Sequence, residues 1–353
     1  MTKGLAASRI SVLCGDLCGN DSPAWLEHIR GARYFGLGTR TRREYPAAVL
    51  KLARILVRER VEILQTHLYD AGLIGLLAAR LARTPVVLLT RHYSDQVKIS
   101  GTRFHLAIDR WLARSANRVI AVSHAVRNHM ISQERIDANH IEVVHLGFEF
   151  SRLSPSTEDG RRVRTEFGLK NEFVIGCVSS FFRTKGHRYL LIALNELVRN
   201  SPDVRLFLVG GGDQSEVREL TRNLGLENYV IFAGHRKDAP ACMRAADLVV
   251  HPSLSEAFSQ VLIETMAVGT PLVSTNVGGA SEVITHDETG LLIPAADPSA
   301  IVEAVQTLYS DPEKRHRIAA AGQASVRERF TAERMVQCQI AIYESILNRP
   351  LKS

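Results

Sequence analysis

Short apolar, β-branched runs alternate with longer amphipathic stretches along the whole chain. That alternation is the pattern of βαβ units and predicts an α/β fold around parallel sheets. In the first half, Arg9–Leu13, Ile63–Thr66, Val86–Leu89, Arg118–Val122 and Ile141–Val144 read as strands. Between them, Ala47–Arg60 places Val49, Leu52, Ala53, Leu56 and Val57 on one helical face. Ala71–Ala82, stopped before Pro85, and Phe104–Ser115 are further helices. The second half restarts the alternation, with strands at Val174–Val178, Arg205–Val209, Val230–Phe232, Leu248–His251, Pro271–Ser274 and Leu291–Ile293. Nearly every strand there runs into a loop containing Gly, Ser or Lys. Polar loops at the carboxyl edge of a parallel sheet are where open α/β folds bind ligands.

The break between the halves falls within Ile141–Pro155, where a turn at His145–Glu149 precedes the polar run Ser151–Pro155. Two Rossmann-like parallel-sheet domains facing a cleft are expected, over residues 1–150 and 151–330, with a C-terminal helix over 331–353 packing back toward the first.

A length of 353 residues suits two domains, and 45% hydrophobic with 23% charged residues is an ordinary globular balance. The longest nearly apolar stretch, Ala71–Ala79, falls far short of a membrane span of roughly 20 residues. The run Ile10–Cys14 is too short for the apolar core of a signal peptide. A cytoplasmic protein is expected, at most peripheral on the inner face of the membrane. Of the five cysteines only Cys14 and Cys18 are close, and no matching pair completes a zinc set, so reduced buried thiols are expected.

Charge changes the picture more. The net +7 lies wholly in the first half, where residues 1–150 carry 21 Lys and Arg against 13 Asp and Glu; the remainder carries 23 against 24. A basic half reads either as a surface for anionic partners or as an ordinary solvated face.

The segment richest in chemistry runs from His251 to Pro271. A strand ends at His251, a polar loop follows, and Ser259 is placed to cap a helix from Gln260 to Val268 that Gly269 and Pro271 close. Backbone N–H groups from about Ala257 to Val261, aided by the helix dipole, make an anion site. Glu256 sits just before that helix. Glu264 would repel a diphosphate and suits sugar or ribose hydroxyls. A capped helix carrying two solvated glutamates accounts for the same residues.

The pattern P-S-x-x-E-x-F-x-x-x-x-x-E-x-M-A-x-G-x-P, with seven residues between Glu256 and Glu264, resembles the E-x7-E signature of glycosyltransferase family 4. Val273–Ile284 and Thr289–Leu292 continue the likeness, which covers most of residues 170–330. The resemblance implies a retaining enzyme of the GT-B architecture. Its donor is a UDP- or GDP-linked sugar bound as substrate, with no cofactor. It places Glu256 on the donor sugar, Glu264 on the ribose, and the backbone of Phe258, Ser259 and Gln260 along the sugar and diphosphate. Domain 151–330 then binds the nucleotide sugar, and domain 1–150 receives the acceptor.

Lys185, at the head of a helix after the strand Val174–Val178, can neutralise a departing diphosphate. The family pattern G-R-x-x-x-x-K-G is matched at Lys185-Gly186, but Ser180 stands at the Arg position, leaving Arg183 as the substitute or as a surface arginine. Gly210 and Gly211 after the strand Arg205–Val209 allow a close approach of the donor, or make a plain tight turn. His235 and Arg236 follow in the segment that resembles the family's base-binding stretch. In the first half, His92 stands just past a strand, where the family often has a histidine that meets the donor sugar or the acceptor, so it reads as a catalytic residue or a structural one; His67 resembles the family's strand-ending histidine and reads as cleft-lining or structural. Ser123 is a helix cap first.

No D-x-D occurs, so no metal is expected. The family's first strand and glycine-rich loop find no counterpart; Leu5–Val12 resembles its second strand, as though the start were shortened. A glycan or lipid-linked anionic acceptor is expected on the basic half, near Arg40, Arg42, Arg43, Arg103, Arg110 and Arg114, with peripheral membrane contact and no nucleic acid. The alternative to an enzyme is a silent nucleotide-sugar-binding scaffold.

Overall fold

The computed structural model describes residues 10–19, 32–93 and 102–348. The expectations for Leu5–Arg9 lie outside them. The chain forms two compact units: residues 1–147 with 332–353, and residues 148–331. The two crossings run side by side, with the Phe148 N–H donating to the Phe330 carbonyl at 2.8 Å.

In the first unit, β3 (Ile63–His67), β4 (Val86–Arg91), β5 (Arg118–Ala121) and β6 (Ile141–Val143) form a parallel sheet in that order. A separate parallel pair joins β1 (Val12–Asp16) to β2 (Ala32–Gly36). β1 lies later than the expected Arg9–Leu13, and β2 was not expected. Ala-Arg-Tyr-Phe-Gly carries no β-branched run, so only its partner strand makes it a strand. Helices α1 (Tyr45–Arg58), α2 (Tyr69–Ala82), α3 (Arg103–Ser115) and α4 (His124–Ser132) connect these strands. A last helix, Ala332–Leu347, returns to this unit: Val336 and Tyr343 pack with Val86, Leu88 and Ile120. The Tyr343 hydroxyl donates to Gln65 at 2.5 Å.

β4 is buried at every residue, so its run of apolar residues reflects cover on both faces. It ends in Arg91, a charge only 1% exposed. Asp109 at 2.5 Å and Glu134 at 3.2 Å accept from its Nη1, and its guanidinium lies 4.8 Å from the Tyr93 ring centre. Tyr93 in turn donates to Asp109 at 2.9 Å. Burial raises the pKa of both carboxyls despite the arginine.

The same strand end carries His92, whose Nε2 stands 2.9 Å from Nδ1 of His67 at the end of β3. Burial, then the charge of His92, drives His67 down to about 4; burial also lowers His92. Both rings are therefore neutral at pH 7.

Several expected acceptor-side arginines have other work. Arg110 donates to the Gln133 carbonyl at 3.0 Å and Arg114 to the Glu134 carbonyl at 3.3 Å, where they bind the chain just after α4. Arg42 meets His105 at 3.0 Å. Ser123 caps α4 through Val126 N–H at 3.1 Å. All five cysteines are free, but only Cys177 and Cys242 are buried, against the expectation for the set.

In the second unit, β7 (Phe173–Val178), β8 (Val204–Val209), β9 (Val230–Gly234), β10 (Leu248–His251), β11 (Leu272–Thr275) and β12 (Leu291–Ile293) form one parallel sheet. Its order is β12-β11-β10-β7-β8-β9, a doubly wound arrangement whose direction of winding reverses between β7 and β10. After β7, the helix His187–Asn200 buries Leu190, Leu191, Leu194 and Leu197 against the sheet. Each such side chain contributes about 2 kcal/mol.

Arg91→Leu leaves Asp109 and Glu134 buried without their cation, and the first unit should lose about 3–5 kcal/mol at pH 7. Because both carboxyls are more easily protonated folded than unfolded, the deficit should shrink as pH falls through the carboxylate range; urea unfolding at pH 7 and pH 5 checks this. The depressed His67 acts oppositely. The unfolded chain takes up a proton near pH 6.5 and the folded chain resists until about 4, so stability present at pH 7 is lost across that window. Relative to a His67→Asn chain, the native protein should lose up to about 3 kcal/mol between pH 7 and 4.

Candidate active site

The winding reverses between β7 and β10, and the carboxyl ends of the strands at such a reversal are where these sheets bind ligands. The loop after β7 turns through Arg183–Lys185 to Gly186. The loop after β10 runs from Pro252 to Ser259. They are tied by the Leu254 N–H, which donates to the Thr184 carbonyl at 2.7 Å. Gly186 has φ 71°, and a Cβ there would stand 1.9 Å from the Pro252 carbonyl oxygen, so only glycine lets the loops meet.

Glu256 and Lys185 come together at this junction. Lys185 Nζ donates to Glu256 Oε1 at 2.6 Å. Ser253 Oγ donates to the same oxygen at 2.7 Å, and His251 Nε2 lies 2.9 Å from it. Burial opposes ionisation of Glu256, but the hydrogen bond and charge of His251 and the Lys185 ammonium outweigh it and hold the carboxyl at about 2. The Thr275 hydroxyl fixes the loop from below by donating to the Ser253 carbonyl at 2.5 Å. Gly278, at φ 55°, brings the following loop against it; a Cβ there would stand 1.8 Å from the Glu256 carbonyl oxygen.

The helix α9 (Gln260–Val268; the intervening second-unit helices are Thr157–Glu166, His187–Asn200, Ser215–Asn223 and Ala239–Ala245) starts beside this carboxylate. Ser259 occupies the cap position, yet its side chain makes no cap hydrogen bond. Its hydroxyl turns inward to His251 Nε2 at 3.1 Å. The expected capping role is thus replaced, and the first-turn N–H groups keep no side-chain acceptor. Gln260 is exposed at the first helical position. Glu264 lies one turn on, half-buried, and burial raises its pKa.

Other expected residues are placed differently. Arg183 is 85% exposed on its side chain and pairs with Glu216 at 2.8 Å, away from Glu256. The space beside Gly210 is filled by chain: a Cβ would stand 1.8 Å from the Ser179 carbonyl oxygen, so this glycine serves loop packing. Gly211 has the exposed His235 as its neighbour, 3.7 Å from a Cβ built there. Arg236 is bound by Glu166 at 2.5 Å and Asp238 at 2.8 Å, a tie within the unit. The Phe258 ring is buried, 5.7 Å from that of Phe330. His92 belongs to the first unit, paired with His67.

Sequence reasoning missed His251, Ser253 and His187. His187 is 4% exposed, lies 3.2 Å from Ser179 Oγ, and stacks on Phe181 beneath Lys185's loop. Burial, then the charges of His251 and Lys185, lowers it to about 4. The available signal was a histidine ending an otherwise apolar strand, at Leu248-Val249-Val250-His251.

Residues 161–325 match the model of glycosyl transferases group 1, and residues 1–152 that of glycosyltransferase family 4. N-acetyl-alpha-D-glucosaminyl L-malate synthase of Bacillus anthracis is 28% identical over 313 residues, covering 86% of this chain and 81% of that one. Phosphatidyl-myo-inositol mannosyltransferase of Mycobacterium leprae is 29% identical over 304 residues, covering 85% and 78%. The crystal structure of Anabaena Alr3699/HepE in complex with UDP-glucose matches with a TM-score of 0.84 at 28% identity, covering 98% of this chain and 94% of that one. With two glycosyltransferase models dividing nearly all of the chain between them and a parallel α/β sheet in each part, the chain belongs to the family 4, group 1 glycosyltransferases of the GT-B type.

Proposed function

We propose that this enzyme transfers a sugar, with retention at the anomeric carbon and without a metal, from a UDP- or GDP-linked donor to a glycan or lipid-linked anionic acceptor. The observation that carries the donor assignment is the meeting of Lys185 and Glu256, 2.6 Å apart, beside an uncapped helix N-terminus at the winding reversal. A diphosphate placed there meets N–H groups, the positive end of a helix dipole and an ammonium. Glu256, held ionised, accepts from sugar hydroxyls; Glu264 is close enough along α9 to take the ribose. The complex of Anabaena Alr3699/HepE with UDP-glucose supports a nucleotide-sugar donor.

In the reaction, the bond from the anomeric carbon to the diphosphate oxygen breaks, and its electron pair stays on that oxygen. Lys185 and the helix terminus stabilise the charge that develops. The acceptor hydroxyl forms the new bond from the same face and passes its proton to the departing phosphate oxygen. No D-x-D is present, so Lys185 takes the role of a metal clamp. In this reading the acceptor lies against the neutral His92 and His67 pair of the first unit, a reading supported by the strained φ of 72° at neighbouring Leu68. The basic balance of residues 1–150 favours an anionic acceptor and contact with an anionic membrane surface. No described helix is long and apolar enough to cross a membrane.

Donor hydrolysis and transfer by the purified protein test the reading across a panel of UDP- and GDP-sugars. Lys185→Ala should lower kcat by about 10²–10³, the cost of losing a charge-stabilising donor. Glu256→Ala should abolish selectivity between sugars on the same nucleotide. Variants that turn over like the native protein would sink the assignment.

A further inference from the structure

His251 has a second contact in this centre that holding Glu256 ionised does not explain. It ends β10, is 1% exposed, and points its Nε2 at two groups: Glu256 Oε1 at 2.9 Å and Ser259 Oγ at 3.1 Å. A carboxylate only accepts, so Nε2 carries a proton, and that one N–H is shared between Glu256 Oε1 and Ser259 Oγ, both of which accept from it. The other nitrogen, Nδ1, is buried with no partner among the described residues. A buried imidazole kept with one nitrogen unsatisfied is destabilising. Two neighbours explain what the ring does.

The first is Glu256, whose carboxylate is oriented by His251 together with Ser253 and Lys185. The second is Ser259. Serine at the cap position ordinarily turns its oxygen onto the N–H groups of the first turn. Ser123 does so at Val126 in this same chain. Ser259 does not, because its hydroxyl is held against His251. A capping hydroxyl and a diphosphate oxygen compete for the same N–H groups.

We infer that His251 is a positioning residue that holds Ser259 off the amino end of α9, keeping that end open for the donor diphosphate, while it aims Glu256 at the sugar. The inference rests on the donor site proposed above. It separates the two tasks by ligand: a nucleoside diphosphate reports the helix terminus alone, and a nucleotide sugar reports the terminus and Glu256 together. His251→Leu removes both contacts, releasing Ser259 to cap.

The test is a double-mutant cycle on His251→Leu and Ser259→Ala, with binding of UDP, GDP and UDP-glucose measured by calorimetry and the crystal structure of His251→Leu determined. His251→Leu should weaken the better-bound diphosphate about 5–20-fold, the range of a cap hydrogen bond set against ligand. Adding Ser259→Ala should recover most of that loss for the diphosphate but not the further loss specific to UDP-glucose. In the crystal, Ser259 Oγ should move to within hydrogen-bond distance of the Val261 or Leu262 N–H. A double variant as weak as His251→Leu, or a Ser259 hydroxyl that stays in place, overturns the inference. A native protein that binds neither diphosphate overturns the donor reading instead, and the crystal structure still decides whether His251 restrains Ser259.

Discussion

A largely buried carboxylate must be given cations and donors or lose its charge, and Glu256 has been given three partners on one oxygen. Each donor comes from a different piece of the second unit. Lys185 arrives from the loop after β7, Ser253 from the loop after β10, and His251 from the strand itself. The strand order places those loops side by side only because the winding reverses between β7 and β10. The glycines at 186 and 278 then let backbone approach backbone where any side chain would collide. Sheet order, loop contact and ionised glutamate are one chain of dependence.

The first unit meets a similar demand at the end of β4. Arg91 is buried between Asp109 and Glu134, one cation for two acids, with Tyr93 donating to the more tightly held of them. Such a cluster is weak evidence for stability, since desolvation offsets attraction. What it fixes is direction. The strand cannot slide without exposing unpaired charge, so the next residue, His92, keeps its place against His67. Both units set a strand end by burying charge beside it, and both place a histidine there.

Local chemistry made much of this legible. The βαβ alternation marked most of the strands, and the cap, glycine and proline signals marked α9 to the residue. Lys185 and Glu256, singled out because their types suit a diphosphate and a sugar, meet in the structure at 2.6 Å. Other residues singled out in the sequence have partners that only the fold reveals. Arg183 was assigned by its spacing from Lys185, but a long side chain goes to its nearest exposed acid, Glu216. Gly210 was assigned by its freedom to approach a ligand, but the neighbouring strand's loop had taken the space. Arg110 and Arg114 remain exposed cations, but each also ties down a backbone carbonyl, a bond that only the fold reveals.

Composition and periodicity thus settled what could form: parallel α/β units, an anion-binding helix start, a glutamate and a lysine suited to a glycosyl donor. Those properties belong to segments of about ten residues, whose physics is local. Pairings across 71 residues, such as Lys185 with Glu256, belong to the sheet order. So does the turning of Ser259 from its own helix to His251, because a hydroxyl takes whichever partner packing brings within reach. Which of two satisfactory partners a polar group keeps is decided by burial and distance, and these exist only once the chain has folded.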